Sequence, residues 1–459
     1  MILLPDGVGM RNYMYSEMMC ELAKKATLVV ATPLSSASFD ALKLHLGIDF
    51  EIVPIVLKAE NGIGRLFREA ATFGRLLHNA KKMDNPSLVE GNWNFRPKGI
   101  KLWMLNKLAQ KIGIWASKRY ERILKLEAQA QQQWGKEVGA CEKVVERIVP
   151  DVVFITHQRV ASLMPYTLAA KNKNIPVHTV IYSWDNLPKA RLNVVADNYL
   201  VWSDNMKQEM EDYYPEIPSE KVVVTGTPQF EFYKEASNII PKEDFYHRFG
   251  LEPNKKIVCY SGDDTLTCPD DPAYLRDLAT ALVQNGYDAT HQILLRRCPV
   301  DFSDRYDSVL KEFASLIKVA DPLWIKTRRE DWGGIYPTYE DVKLLVSTAY
   351  YSDVVVNLGS TMAFDFSMFD KPCVYLNYDQ EEKVNPSWSV KSIYQFQHFR
   401  SMPDARAVLW LHSPEEIIEK VVLAQGYESK WMEQWRTIVL GSPFLASSRL
   451  VKQALFQND

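Results

Sequence analysis

The chain has 459 residues, 47% of them apolar and 24% charged, with a formal net charge of −3. That length admits two domains of ordinary size, because single cores rarely grow much beyond roughly 250 residues, and that composition excludes a large disordered fraction. Six scattered cysteines form no CxxC or Cys/His cluster, which argues against a zinc site or disulfide framework and for the cytosol.

The first element is a strand, Ile2-Leu3-Leu4-Pro5, with no basic-then-apolar signal segment. It runs into Asp6-Gly7-Val8-Gly9-Met10-Arg11-Asn12 and a helix in which Met14, Met18 and Leu22 recur every four residues; a second strand lies near Val29. Strand, glycine-rich turn, helix and strand open a Rossmann-like half. Gly7-x-Gly9 lacks the third glycine of the dinucleotide fingerprint and no acid ends the next strand, so a nicotinamide cofactor is not expected. Arg11 and Asn12 suit an oxyanion, whereas a structural reading needs the glycines only for positive φ.

A helical insertion over about 60–145 then breaks the α/β rhythm. Met104, Leu108, Ile112 and Trp115 recur at helical spacing and are expected to pack inward on the sheet. Residues 60–127 carry 14 Lys and Arg against 6 Asp and Glu, leaving −11 on the rest of the chain, and include Trp93, Phe95, Trp103 and Tyr120. That positive excess points to an anionic membrane surface or a lipid-linked acceptor. No run reaches the roughly 20 apolar residues of a spanning helix, so any such contact is peripheral. Nucleic acid is not an expected partner, since no motif accompanies the charge.

Alternation resumes with a strand ending at His157, another ending in Trp184-Asp185-Asn186, and then NYLVWSD and KVVVTGTP. Parallel strands of an open sheet present their carboxyl ends to the active site. His157 and Asp185 are therefore candidates for a catalytic base, with Trp184 and Asn186 on the acceptor side. The alternatives are a structural histidine and an Asx turn.

The second half opens with a strand running into Gly262-Asp263-Asp264-Thr265. The strand QILLRRCP carries Arg296, either a diphosphate partner or half of a structural ion pair. Asp331-Trp332-Gly333-Gly334 is a loop and Tyr339 to Tyr351 a helix. From Asp353 the pattern reads strand, turn (Leu358-Gly359-Ser360-Thr361), helix (Met362 to Phe369) and strand (Cys373 to Leu376). The first amides of a helix lack internal partners and favour negative charge, so a diphosphate is expected there. Gly359 permits close approach, Ser360 and Thr361 add hydroxyls, and Asp365 is placed for a ribose hydroxyl; otherwise these residues merely cap the helix. Asp263-Asp264 and Asp270-Asp271 read as turn pairs, so no metal is expected. A capped helix follows Pro414, and the tail is helical.

The segment GSTMAFDFSMFDKPCVYLNYD resembles the nucleotide-binding signature of the CDP-glycerol glycerophosphotransferases and of related GT-B glycosyltransferases that build surface polysaccharides. Thr225-Gly226-Thr227-Pro228 is similar to the Gly-x-Pro segment that leads from acceptor to donor domain in that family. The resemblance implies an α/β fold of two Rossmann-like domains facing a cleft: an acceptor domain over 1–235 carrying the insertion, a nucleotide-binding domain over 236–415, and helices over 416–459 that cross back to the first. It implies donor nucleotide contacts at Gly262, Asp263, Arg296, Gly359, Ser360, Thr361 and Asp365, and a cleft loop at Gly7, Gly9, Arg11 and Asn12. The chain departs from the family pattern with Asn357 in place of an acid and Cys298 in place of a histidine. The expected activity is transfer of a sugar from a nucleotide-sugar donor to a glycan or lipid-linked glycan acceptor, without cofactor or metal. A CDP-glycerol- or CDP-ribitol-type phosphate transferase and a UDP-sugar 2-epimerase are the rival readings.

Overall fold

The computed structural model describes residues 1–93, 99–326 and 334–455; Phe95 and Asp331-Trp332-Gly333 lie outside them. The chain divides into two compact units, Met1–Pro228 with Phe396–Ser401 and Ile438–Asp459, and Gln229–Gln395 with Met402–Thr437.

In the first unit β1 (Ile2–Leu3), β2 (Val29–Thr32), β3 (Glu51–Pro54), β4 (Val153–Ile155), β5 (Val177–Val180), β6 (Asn198–Val201) and β7 (Val222–Val224) form a parallel sheet in the order β3-β2-β1-β4-β5-β6-β7. The short β1 is buried at its centre, with Ile2 opposite Phe154 and Leu3 opposite Ile155. Strand order reverses between β1 and β4. Such a switch point opens a crevice beyond the carboxyl ends of the two strands, where open α/β sheets take their ligands.

The second unit repeats the plan. Its sheet runs β10-β9-β8-β13-β14-β15, from β8 (Lys256–Ser261), β9 (His291–Arg296), β10 (Ile317–Val319), β13 (Val354–Asn357), β14 (Cys373–Leu376) and β15 (Leu409–Leu411). A separate antiparallel ribbon pairs β11 (Trp324–Lys326) with β12 (Ile335–Pro337). The runs VVVN and CVYL are buried throughout, as parallel strands covered by helices on both faces must be. Here the switch point lies between β8 and β13. The expected α/β class, two Rossmann-like units of GT-B type with a helical insertion in the first, is the fold observed.

Boundaries differ from those expected. The units divide after Pro228, where 235 is expected, and the chain returns to the first unit over Phe396–Ser401 and again from Ile438, where 416 is expected. The Ile417–Ala424 helix stays with the second sheet because Ile417, Val421 and Ala424 are buried there against β14 and β15. The Ala446–Leu455 helix returns to the first unit, where Ala446 Cβ would lie 3.1 Å from a Cβ at Gly226.

The insertion comprises the helices Gly62–Lys82, Ile100–Ala116, Tyr120–Gln132 and Gly135–Ile148, with the short Ser87–Glu90 helix after the first. Its inward face corrects the expectation for the Met104, Leu108, Ile112 and Trp115 stripe. Met104, Leu108 and Trp115 face solvent, and the buried side is the seam Asn106, Ala109, Gly113 and Ala116. The reason is close helix approach: a Cβ on Gly113 would lie 2.9 Å from Ala70 O and 3.0 Å from Gly74 N. Only small residues fit such a seam.

Arg75 anchors this bundle. The buried guanidinium donates from Nη2 to Glu127 Oε1 (2.8 Å) and Glu216 Oε1 (2.8 Å), from Nη1 to Tyr213 O (2.8 Å), and lies 4.5 Å from the Tyr214 ring centroid. Removing one partner of a buried charge network strands the others. Arg75→Met is therefore expected to destabilise the first unit by about 3–5 kcal/mol in urea unfolding, whereas removing the exposed Arg406 side chain, paired with Asp404 at the surface, leaves the unfolding midpoint unchanged.

Candidate functional site

At the first switch point the chain leaves β1 through Asp6, whose extended backbone (φ −158, ψ 176) turns its carboxylate over the next turn. Asp6 Oδ1 accepts the N–H groups of Val8 at 3.2 Å and Gly9 at 3.4 Å. Gly9 is required there, since a Cβ would lie 2.5 Å from Thr156 Oγ1 and 2.6 Å from Leu4 Cδ1. The glycine-rich segment is helical rather than an open loop. Gly7–Gly9 forms one α-turn, Met10–Met14 a π-turn, and the regular helix begins only at Glu17. Arg11 Nε donates to Asn12 Oδ1 at 3.1 Å, and Asn12 is buried.

The other carboxylate oxygen, Asp6 Oδ2, lies 2.5 Å from His157 Nδ1. β1 and β4 are neighbours, so the residues that follow them meet. A carboxylate on Nδ1 holds the ring proton on that nitrogen and leaves Nε2 as an acceptor. His157 Nε2 is enclosed and has no hydrogen-bond partner among the described residues. The Tyr182 ring packs edge-on against the imidazole, 4.0 Å between centroids, and receives a hydrogen bond at its hydroxyl from Arg159 Nη1 at 3.4 Å. Asp6, Tyr182 and Arg159 are residues that sequence reasoning missed. For Asp6 the available signal was an acid directly beyond the carboxyl end of the first strand.

Asp185 is placed differently. It accepts from Ser183 Oγ at 2.6 Å and Asn186 Nδ2 at 2.8 Å, and forms an ion pair with Lys189. Burial opposes its ionisation, yet the Lys189 ammonium holds the carboxyl well below the usual carboxylate range. Such a group is a poor proton acceptor. Asn186 is buried and bonded to Gln158 Nε2 at 3.1 Å, and Trp184 is buried edge-on to His398 at 4.5 Å.

In the second unit the segments after β9, β8 and β13 lie side by side at one sheet edge. Gly262 has a packing role: a Cβ there would collide with Tyr306 Oη and lie 3.1 Å from Asp271 Oδ2. Behind it Asp271 accepts from Tyr260 Oη (2.5 Å), Tyr306 Oη (2.8 Å) and Asp263 N (2.6 Å). Burial, with the carboxylates of Asp271 and Asp264 nearby, pushes Asp263 well above the usual carboxylate range. Its Oδ2 is enclosed, with no hydrogen-bond partner among the described residues. Arg296 is ion-paired, its Nη2 lying 3.0 Å and 3.1 Å from the Asp341 oxygens, while Nη1 is buried without a hydrogen-bond partner among the described residues.

The Gly359 turn corrects one expectation. Gly359 is left-handed (φ 63), which suits glycine. The amide of Ser360 donates to Asn357 Oδ1 at 2.8 Å, that of Met362 to Ser360 Oγ at 3.4 Å, that of Ala363 to Ser360 O at 3.2 Å and that of Phe364 to Thr361 O at 2.8 Å. Those amides are satisfied within the loop, and the Met362–Ser367 helix is short, so it does not present a free row of donors. Asn357 Nδ2 in turn donates to Cys373 Sγ at 3.4 Å, a bond that a carboxylate at that position could not donate. Asp365 Oδ1 accepts from Tyr233 Oη at 2.7 Å, a partner lying just beyond the Gly-x-Pro segment.

No family model matches the chain. A stretch of 212 residues, 44% of the chain, is 20% identical to a teichoic acid poly(ribitol-phosphate) polymerase of Bacillus spizizenii, of whose length it spans 29%. Among solved structures the chain is similar to UDP-GlcNAc 2-epimerase from Methanocaldococcus jannaschii (TM-score 0.53, 12% identity, 98% of this chain and 97% of that one). It is similar also to a further UDP-N-acetylglucosamine 2-epimerase (TM-score 0.54, 11% identity, 99% and 94%) and to S. aureus MnaA in a co-structure with UDP (TM-score 0.51, 14% identity, 98% and 94%). At these identities the likeness is one of fold. Because Tyr306 and Asp271 leave no room at Gly262, Gly262→Ala is expected to cost about 1–3 kcal/mol in the unfolding of the second unit, read by urea titration.

Proposed function

We propose that this chain is a GT-B-type transferase that moves a sugar from a nucleotide-diphosphate donor to a hydroxyl of a glycan or glycolipid acceptor in cell-surface polysaccharide synthesis. The observation that carries the reading is the Asp6–His157 pair at the first switch point, with Nε2 enclosed and unpartnered. In this reading Nε2 accepts the proton of the acceptor hydroxyl as that oxygen bonds to the anomeric carbon. The bond from that carbon to the diphosphate oxygen breaks, and the nucleoside diphosphate leaves with the electron pair. Asp6 stabilises the imidazolium so formed, and Tyr182 fixes the ring plane.

The second unit would hold the donor through Arg296 and Asp365. Arg296 supplies positive charge for the diphosphate oxygens, while Asp365, oriented by Tyr233, accepts from a ribose hydroxyl. In this reading the leaving group needs no metal. A uridine diphosphate donor is supported by solved structures of the same fold that are named for UDP-GlcNAc or hold UDP. The polymerase match supports the polysaccharide setting. It also favours a second reading, transfer of a polyol phosphate from a CDP-linked donor, in which the same base activates a hydroxyl for attack on phosphorus and CMP departs.

The nucleotide released, with water or a glycan fraction as acceptor, separates the two: UDP from a UDP-sugar, CMP from CDP-glycerol or CDP-ribitol. His157→Ala is expected to lower turnover by about 10²–10⁴-fold while leaving thermal stabilisation by the nucleotide intact. Asp6→Asn is expected to lower kcat with little change in KM. Turnover of His157→Ala at the wild-type rate, or no stabilisation by any nucleotide, would overturn the proposal.

A further inference from the structure

The Ile100–Ala116 helix leaves its large side chains outside. Ile100 (68%), Trp103 (48%), Met104 (60%), Leu108 (47%), Ile114 (51%) and Trp115 (52%) are all exposed. At 100° per residue they occupy a single face, and Lys101, Lys107 and Lys111 are exposed among them. The helix carries no acidic residue. None of these three lysines has an ion-pair partner among the described residues. The orientation is locked, since the opposite face is the small-residue seam against the Gly62–Lys82 helix, and the large residues cannot roll inward without replacing Ala109 and Gly113 there. Beyond the helix Arg122 stacks on Trp115, 4.3 Å from the ring centroid, and adds a further cation at the rim.

We infer that this face docks on an anionic lipid bilayer, with Ile100, Trp103, Met104, Leu108, Ile114 and Trp115 entering the headgroup boundary and the lysines meeting lipid phosphates. Tryptophan beside lysine on one apolar face is the composition that a membrane interface stabilises. No helix of the described residues is long and apolar enough to cross a membrane, so the Ile100–Ala116 helix would lie in the plane of the surface. Charge decides against a second copy of the chain as occupant. A two-fold interface brings one patch against itself, and here would set unpaired lysines against lysines with no acid on the helix to compensate. The anionic lipid surface is the complement of that charge. This inference stands apart from the proposed chemistry and needs no donor or acceptor.

The test is co-sedimentation of the purified full chain with vesicles of phosphatidylcholine alone or mixed with phosphatidylglycerol. The wild type is expected to sediment with the mixed vesicles, more weakly at high salt, and little with phosphatidylcholine alone. The double variant Trp103→Glu, Trp115→Glu is expected to partition at least about tenfold more weakly, and Lys107→Glu, Lys111→Glu to lose the preference for anionic vesicles. Both pairs are exposed, so thermal unfolding should match the wild type. Equal sedimentation of wild type and the tryptophan variant, or no sedimentation with either vesicle, would overturn the inference. So would a wild-type dimer in analytical ultracentrifugation that the tryptophan variant abolishes while vesicle binding stays absent, which would make the face a self-association surface.

Discussion

The account depends on a single carboxylate. Asp6 closes the first turn of the chain through Val8 and Gly9 and, with its second oxygen, takes the Nδ1 side of His157. The two demands support each other. Capping keeps the carboxylate directed, and the directed carboxylate decides which imidazole nitrogen remains an acceptor. Both residues stand at the carboxyl ends of adjacent strands, so sheet pairing itself supplies the geometry.

The second unit solves a different problem with the same topology. Its edge at β9, β8 and β13 is built on buried acids and an arginine rather than on an exposed row of amides. Asp271 is enclosed by Tyr260, Tyr306 and the Asp263 amide, and burial together with the Asp271 carboxylate pushes Asp263 above the usual carboxylate range. Arg296 keeps Asp341 as its counter-ion.

Much of this plan was legible in the sequence because its causes are local. Runs such as VVVN and CVYL between turn signals read directly as buried parallel strands, and His157 and Gly359 were found as the residues that end them. Asp6 was not found because its role exists only in a pairing with a residue 151 positions away. The Gly359 turn was read as an anion cradle because amide satisfaction by Asn357 is a tertiary detail of side-chain direction. The Ile100–Ala116 helix misled for a related reason. Large apolar residues at helical spacing normally mark the inner face, but here the partner helix approaches through Gly74 and admits only Ala109, Gly113 and Ala116. Which face of a helix is buried belongs to its neighbour as much as to its own sequence.

The claim that Asp6 directs His157 can be measured without any substrate. Nitrogen-15 NMR of the histidine rings, with His157 assigned by loss of its signals in His157→Gln, reports which nitrogen of the neutral ring carries the proton. The expected result is a proton on Nδ1 and an acceptor-type Nε2 in the wild type, with that preference lost in Asp6→Asn. A proton resident on Nε2, or the same tautomer in both proteins, would contradict the account.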